Sequence, residues 1–311
     1  MIGAATAESK PTVFDRYHPV VPFVFFAAVL VFTMAAMQPV CIAITVAAAW
    51  CTNAWLRGWK NALRTTAWQL PLVALIAVIN PLFSAMGSTE LFRIGHRAVY
   101  AESFAYGICM GFMLMAVFLW FSNASRILTS DKVMALFGDA SPAIALVLSM
   151  TARLVPQFVG RGRDIEAAQR ACSVAVPETL GQRVAWKGRV VTVLMGWSME
   201  DSLERADAMR ARGWGSAGKR TQYKPYRFRG ADAAACTAVG LLAVGNAVLV
   251  WIACSQYAFY PVMSPLVLWW GYVPYVLFAF LPLLAEGIDR ARWKRREAQI
   301  TDARKVFDGR G

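Results

Sequence analysis

The feature that leaves this chain the fewest options is a series of apolar runs, each close to the length needed to cross a bilayer. They are Val20 to Met37, Val40 to Leu56, Thr66 to Met86, Ser103 to Ser122, Ala233 to Cys254 and Val262 to Ala285. A helix rises about 1.5 Å per residue, so about 30 Å of hydrocarbon takes about 20 residues. No water reaches the backbone at that depth, and a helix satisfies its own hydrogen bonds. A signal peptide would explain the first run, which Arg16 precedes and small residues end. The second run follows after only Gln38 and Pro39, so two spans joined by a tight turn account for both. Composition agrees: 58% of residues are hydrophobic and 16% charged, against about 45–50% and about 25% in soluble domains. The sequence predicts an all-α polytopic membrane protein with about six transmembrane helices.

Between the fourth and fifth runs lies Ser125 to Asp232, which as a whole cannot span. It holds more than half of the Lys and Arg in a chain of net charge +13. The Gln38–Pro39 turn and the Ser255 to Pro261 loop hold none, and Gly87 to Glu102 holds only Arg93 and Arg97. Lys and Arg collect on the cytoplasmic side of membrane proteins. The expected organisation is four spans within 1–124, a cytoplasmic domain over 125–232, two spans within 233–289 and a basic cytoplasmic tail over 290–311. Both termini then lie in the cytoplasm of a multi-pass cell-membrane protein. Charge distributed in this way calls for no nucleic-acid partner. Met1 to Pro19 is polar and expected to be poorly ordered. Trp50, Trp55 and Trp59 suit an interface belt, with Arg57, Lys60 and Arg64 close behind.

Inside the central segment, Ala143 to Met150 is apolar but too short to cross. It continues as an amphipathic helix to about Cys172, interrupted by Pro156, and Val176 to Glu178 reads as a turn. A second amphipathic helix runs from about Gln182 to Arg212. Val191, Met195, Met199, Ala206 and Met209 fall on one stripe of it at helical spacing. Most of its charges have local partners: Asp201 with Arg205, Asp207 with Arg210. Arg212 has none at three or four residues' distance. It ends the helix between Ala211 and Gly213, the usual glycine stop.

Other chemistry is sparse. Gly213 to Lys219 has the spacing of a phosphate-binding loop, but Arg220 stands where Ser or Thr must hold magnesium, and a helix precedes it instead of a strand. The six Cys are scattered, which indicates neither a disulfide framework nor a zinc site. No catalytic set or cofactor motif is present, so the chain reads as no enzyme. Intramembrane charge of the kind that marks ion-coupled carriers is nearly absent. Asn80 and Asn246, polar residues inside spans, read as hydrogen-bond donors to neighbouring helices. Two amphipathic helices without an energy source need a partner surface, and docking of a helix into a groove is a common answer.

The arrangement resembles the transmembrane T component of energy-coupling factor (ECF) transporters, the EcfT or CbiQ-type permeases. The residues that carry the resemblance are Asn80-Pro81-Leu82-Phe83, the stretch Ala101 to Gly107, and Trp197-Ser198-Met199-Glu200-Asp201 leading into Ala208 to Gly213. The resemblance implies two coupling helices, each ending in Ala-Arg-Gly and docked on one of two ABC ATPase subunits, with the membrane helices holding a substrate-binding S component for a vitamin or metal ion. The second motif is intact at Ala211, Arg212 and Gly213, preceded by Arg210. The first falls at Arg170, Ala171, Cys172 and Ser173, where Cys replaces Arg and Ser replaces Gly. A secondary transporter, or a membrane-anchored adaptor with an extended cytoplasmic loop, is the alternative reading.

Overall fold

The structure, a computed structural model, describes residues 12–83, 87–94, 97–129, 132–136, 142–172, 179–214, 216, 228–260, 264–265 and 269–308. Its contacts divide the chain into two compact units, one of residues 1–133 with 226–311 and one of residues 134–225.

The first unit is built on apolar helices. Helix α1 (Val20–Ala35) is followed by α2 (Pro39–Arg57), with Pro39 in the first turn, where its missing N–H is not needed. Gly58, at φ +84°, ends α2, and α3 (Trp59–Phe83) starts at once. Among the described residues, the departure from an all-helical chain is a hairpin of β1 (Glu90–Ile94) and β2 (Arg97–Tyr100), antiparallel, with Glu90 opposite Tyr100 and Ile94 opposite Arg97. It stands in the segment expected to be a plain loop. Helix α4 (Ala101–Ile127) then runs along α3 and α2 and meets α1.

Gly107 and Gly111, four residues apart on one face of α4, set the approach to α3. A Cβ at Gly111 would lie 2.9 Å from Val73 Cγ1 and 3.1 Å from its carbonyl oxygen. A Cβ at Gly107 would lie 3.2 Å from the Ala77 carbonyl oxygen. This is the small-residue crossing that lets membrane helices approach closely. Across the unit, α1 supplies Phe25 and Phe26 to an aromatic core with Trp120 of α4 and Phe278, ring centroids 5.3–6.2 Å apart.

Helices α7 (Gly230–Ser255), α8 (Tyr272–Ala279) and α9 (Leu281–Asp308) complete the unit. Buried polar side chains are hydrogen-bonded between helices. Asn53 donates to Asn123 Oδ1 at 2.9 Å, and Asn123 to the Ala49 carbonyl at 3.0 Å. Thr45 pairs with Tyr275, and Gln38 with Tyr272. Asn80 donates to the Ser103 carbonyl of α4 at 2.9 Å, and Asn246 to Leu242 and Pro274 carbonyls at 2.8 and 3.4 Å. The interhelical reading of those two residues agrees with this geometry.

Among the described residues, four helices are long and apolar enough to cross a membrane: α2, α3, α4 and α7. A fifth is added if α8 and the start of α9, bent by 61°, form one span. Two expected spans therefore differ from the apolar runs that marked them. Helix α1 has 16 residues, about 24 Å of helix, because Ala36 leaves the helical region and Pro39 must start a new helix. The run Val262 to Ala285 is broken at Phe280, while residues 261–263 and 266–268 lie outside the described residues. The stretch beyond 290 is helical to Asp308, continuous with the start of α9. Its Arg, Lys, Glu and Ala residues are good helix formers that hydropathy overlooks.

The second unit pairs two long helices, α5 (Pro142–Cys172), which continues through Pro156, and α6 (Leu180–Ala211). A capping box starts α6: the Gln182 amide donates to Thr179 Oγ1 and the Thr179 amide to Gln182 Oε1, both at 3.3 Å. The turn expected at Val176 to Glu178 lies outside the described residues.

Candidate functional site

The end of α6 is built by its sequence. Gly213 sits at φ +78°, in the left-handed region. The Gly213 amide donates to the Arg210 carbonyl at 2.9 Å, and the Trp214 amide to the Met209 carbonyl at 2.9 Å. This pair of bonds is a Schellman cap, which turns the chain off the helix and satisfies its last carbonyls. Arg212 is the residue between helix and turn, fully exposed, and no ion pair engages it among the described residues. Its neighbours are engaged. Arg205 pairs with Asp201 at 2.5 Å and Arg210 with Asp207 at 3.8 Å. Partial negative charge at the helix C-terminus favours the cation there.

The sides of α6 divide differently from the apolar stripe read in the sequence. The face turned to α5 carries Leu194, Trp197 and Arg205. The Trp197 ring stands 5.8 Å from that of Phe158, with the Arg161 guanidinium 5.2 Å over it, and Arg205 donates to Gln157 Oε1 at 2.5 Å. Val191, Met195 and Met199 point elsewhere and are exposed, Met199 at 71%. Ala206 and Met209 are half-buried. Leu194, an aromatic with a stacked cation and a hydrogen-bonded Arg make the contact, while Val191, Met195 and Met199 are left open. The sequence could not tell these two faces apart, because both repeat at helical spacing.

The end of α5 is chemically unlike that of α6. Arg170 is held by Glu166 at 2.7 Å, one turn back. Ala171 and Cys172 are exposed and uncharged, and Ser173 lies outside the described residues. The Gly213–Lys219 stretch begins as a helix exit, whereas a phosphate-binding loop must open a helix N-terminus. Its residues 215 and 217–219 lie outside the described residues.

A third feature, in the first unit, escaped the sequence reading. Residues Thr12 to His18, expected to be loose, form a strap around a 3-10 turn, Val13–Asp15. Asp15 accepts from Lys132 Nζ at 2.5 Å, and Lys132 also donates to the Ile127 carbonyl at 3.0 Å. The His18 amide donates to Asp232 Oδ1 at 2.9 Å. The Val13 amide donates to Glu286 Oε2 at 3.1 Å, and Arg16 pairs with Asp289 at 2.8 Å. One short segment thus ties together Lys132, Asp232, Glu286 and Asp289, which lie far apart in the chain. Burial raises the Asp15 carboxyl, but the Lys132 ammonium and the Thr12 hydrogen bonds outweigh it and hold the group below its ordinary value of 3.8. Beside the strap, Arg290 stacks 3.8 Å over the Trp55 ring. The available signal was weak: charged residues flanking apolar runs, with nothing in their spacing to pair position 15 with 132.

Comparison with protein-family models and with curated proteins gives no match for this chain.

Proposed function

We propose that this protein is the transmembrane scaffold of an ABC-type energy-coupling importer. It transmits ATP-driven motion of two separate ATPase subunits to a substrate-binding membrane subunit that takes up a vitamin or metal ion. In this reading α1, α2, α3, α4, α7 and the bent α8–α9 pair make six spans. Helix α1 is a short span sheltered by its neighbours, both termini face the cytoplasm, and the 134–225 unit is cytoplasmic. The protein itself hydrolyses nothing.

The observation that carries the reading is the end of α6: an exposed Arg212, without an ion pair among the described residues, set by a Schellman cap on a helix that exposes Val191, Met195 and Met199 farther back along its length. A cation and an aliphatic face are what a groove with an acidic or carbonyl-lined end receives. Charge-assisted hydrogen bonds of this kind are worth about 1.5–3 kcal/mol. Helix ends that move with their partners supply the small displacement from which packed elements make a larger two-state change. The end of α5, with Cys172 in the matching place, would then dock by packing.

The test is co-purification of the two ATPases with variants of this subunit. Arg212→Glu places like charge against the groove, a cost of several kcal/mol, and each 1.4 kcal/mol, approximately, is tenfold in affinity. Assembly and transport-linked ATPase activity are lost, while Cys172→Ser changes little. Normal assembly and transport in Arg212→Glu would remove the reading.

A further inference from the structure

An apolar groove of about 420 Å³ opens between α2 and α4 in the first unit. Ala43, Ala47 and Trp50 line it from α2, Cys109 and Phe112 from α4. No charged side chain lines it, and both helices belong to those apolar enough for the membrane. The two alanines remove bulk from one face of α2, and the aromatic residues make the ends. Its volume is that of a small-molecule site, about 300–1,000 Å³.

The two helices run in the same direction. Asn53 and Ala49 of α2 meet Asn123 of α4, so their C-terminal ends lie together. Arg57 stands seven residues beyond Trp50 on the same face of α2, about 10 Å along the axis. Its Nη2 donates to the Ser122 carbonyl of α4 at 3.1 Å, which bridges the two helices just past the groove. Arg126, four residues after Ser122 in the last turn of α4, stands at the same end of the helix pair. Neither Arg has a carboxylate partner among the described residues, and Arg57 Nε has no hydrogen-bond partner. Trp59 stands edge-on to Trp50, ring centroids 4.8 Å apart, which brings the start of α3 and its Lys60 to the same end. Two arginines thus come to one end of the helix pair, neither with a carboxylate partner among the described residues, which suits an anion. An apolar groove leads to it, flanked by a tryptophan pair of the kind found at headgroup level.

We infer that this groove holds an acyl chain of an anionic phospholipid whose phosphate is bound by Arg57 and Arg126. Guanidinium groups match phosphate geometry, and basic pockets between membrane helices bind anionic headgroups. The chain fills the space over Ala43 and Ala47, and the Trp50–Trp59 pair lies beside the glycerol backbone. The site needs only a membrane location, so it stands apart from the coupling reading.

The experiment is native mass spectrometry of the purified protein from bilayers of equal phosphatidylglycerol and phosphatidylcholine. The wild type retains phosphatidylglycerol at least tenfold over phosphatidylcholine. The double variant Arg57→Gln, Arg126→Gln brings the two within twofold, and Ala47→Trp, which fills the groove, loses retained lipid of either kind. Equal retention of the two lipids by the wild type means ordinary surrounding lipid and overturns the inference. So does undiminished retention in Ala47→Trp, which would put the lipid elsewhere. A second measurement does not depend on folding of those variants. Phosphatidylglycerol brominated on its chains quenches wild-type fluorescence more than that of Trp50→Phe, and phosphatidylcholine brominated likewise shows no such difference. Absence of the Trp50 component with phosphatidylglycerol also overturns the site, as it would if a protein helix covered the groove.

Discussion

Loss of the Asp15–Lys132 pair should open the strap without unfolding the protein, and the magnitude can be worked from the two environments. The Lys132 side chain is 6% exposed and that of Asp15 46%. An exposed pair contributes about 0.2–1 kcal/mol, and breaking a buried one costs about 3–5 kcal/mol. With one partner buried and one half in water, a cost of about 2 kcal/mol lies between these limits, roughly thirtyfold in an opening equilibrium. Asp15→Asn isolates the charge, because the amide oxygen still accepts from the Thr12 amide, now at 2.7 Å. Lys132→Met removes the other partner at similar length. Hydrogen exchange at the amides of Val13, Asp15 and Arg16 reads the opening, since these donate to Glu286, Thr12 and Val13. Protection falls about thirtyfold in Asp15→Asn and at least as far in Lys132→Met, which also loses the bond to the Ile127 carbonyl; the double variant falls no further than Lys132→Met, because the shared pair is lost only once. A change under threefold, or additive losses, would refute the argument. The pH dependence has a definite sign. The Asp15 carboxyl is held below 3.8 in the folded protein, so its contribution is complete above that value and fades as pH falls through the lower folded value.

Three further outcomes are expected. Gly111→Val forces the Val73 backbone of α3 away and should destabilise the purified protein by about 1–3 kcal/mol, seen as a lower midpoint of heat-induced loss of the monodisperse peak in size-exclusion chromatography; an unchanged midpoint counts against the close approach of α3 and α4. Gly213→Ala puts a Cβ into a left-handed conformation at about 1–2 kcal/mol, so ATPase co-purification weakens with Arg212 untouched, and full binding would detach the cap from docking. Single cysteines at Ser88 and Ser216, both exposed, should label from opposite sides in intact cells, Ser88 from outside; external labelling at Ser216 would overturn the orientation.

Much of the candidate site was legible because it is local. The pairs Asp201–Arg205, Asp207–Arg210 and Glu166–Arg170 are one helical turn apart, so spacing alone implies them, and the structure contains all three. An Arg left over from such pairing and followed by Gly is also a local fact, which made Arg212 visible at once. The strap was not legible. Asp15 and Lys132 are 117 residues apart, and no periodicity joins them. The face of α6 that meets α5 was hidden for another reason. The sequence pairs Arg205 only with Asp201 and gives Trp197 no contact, yet the ring takes Phe158 and Arg161 while Arg205 also reaches Gln157.

The sequence by itself determined the membrane class, the helical content of the apolar runs and the place of the polar segment among them. These follow from transfer of side chains out of water and from backbone hydrogen bonds that close within a helix, both sums over neighbours in the chain. Only the tertiary structure decided where helices end and what they meet. Hydropathy marks which residues suit hydrocarbon, so it could not show that Ala36 stops α1 short, that Phe280 breaks the last apolar run or that α9 runs on through the basic stretch. Gly107 and Gly111 became a helix crossing only when α3 lay against them. Arg57 of α2 reaches the Ser122 carbonyl, one turn before Arg126, only because α2 and α4 run side by side in the same direction.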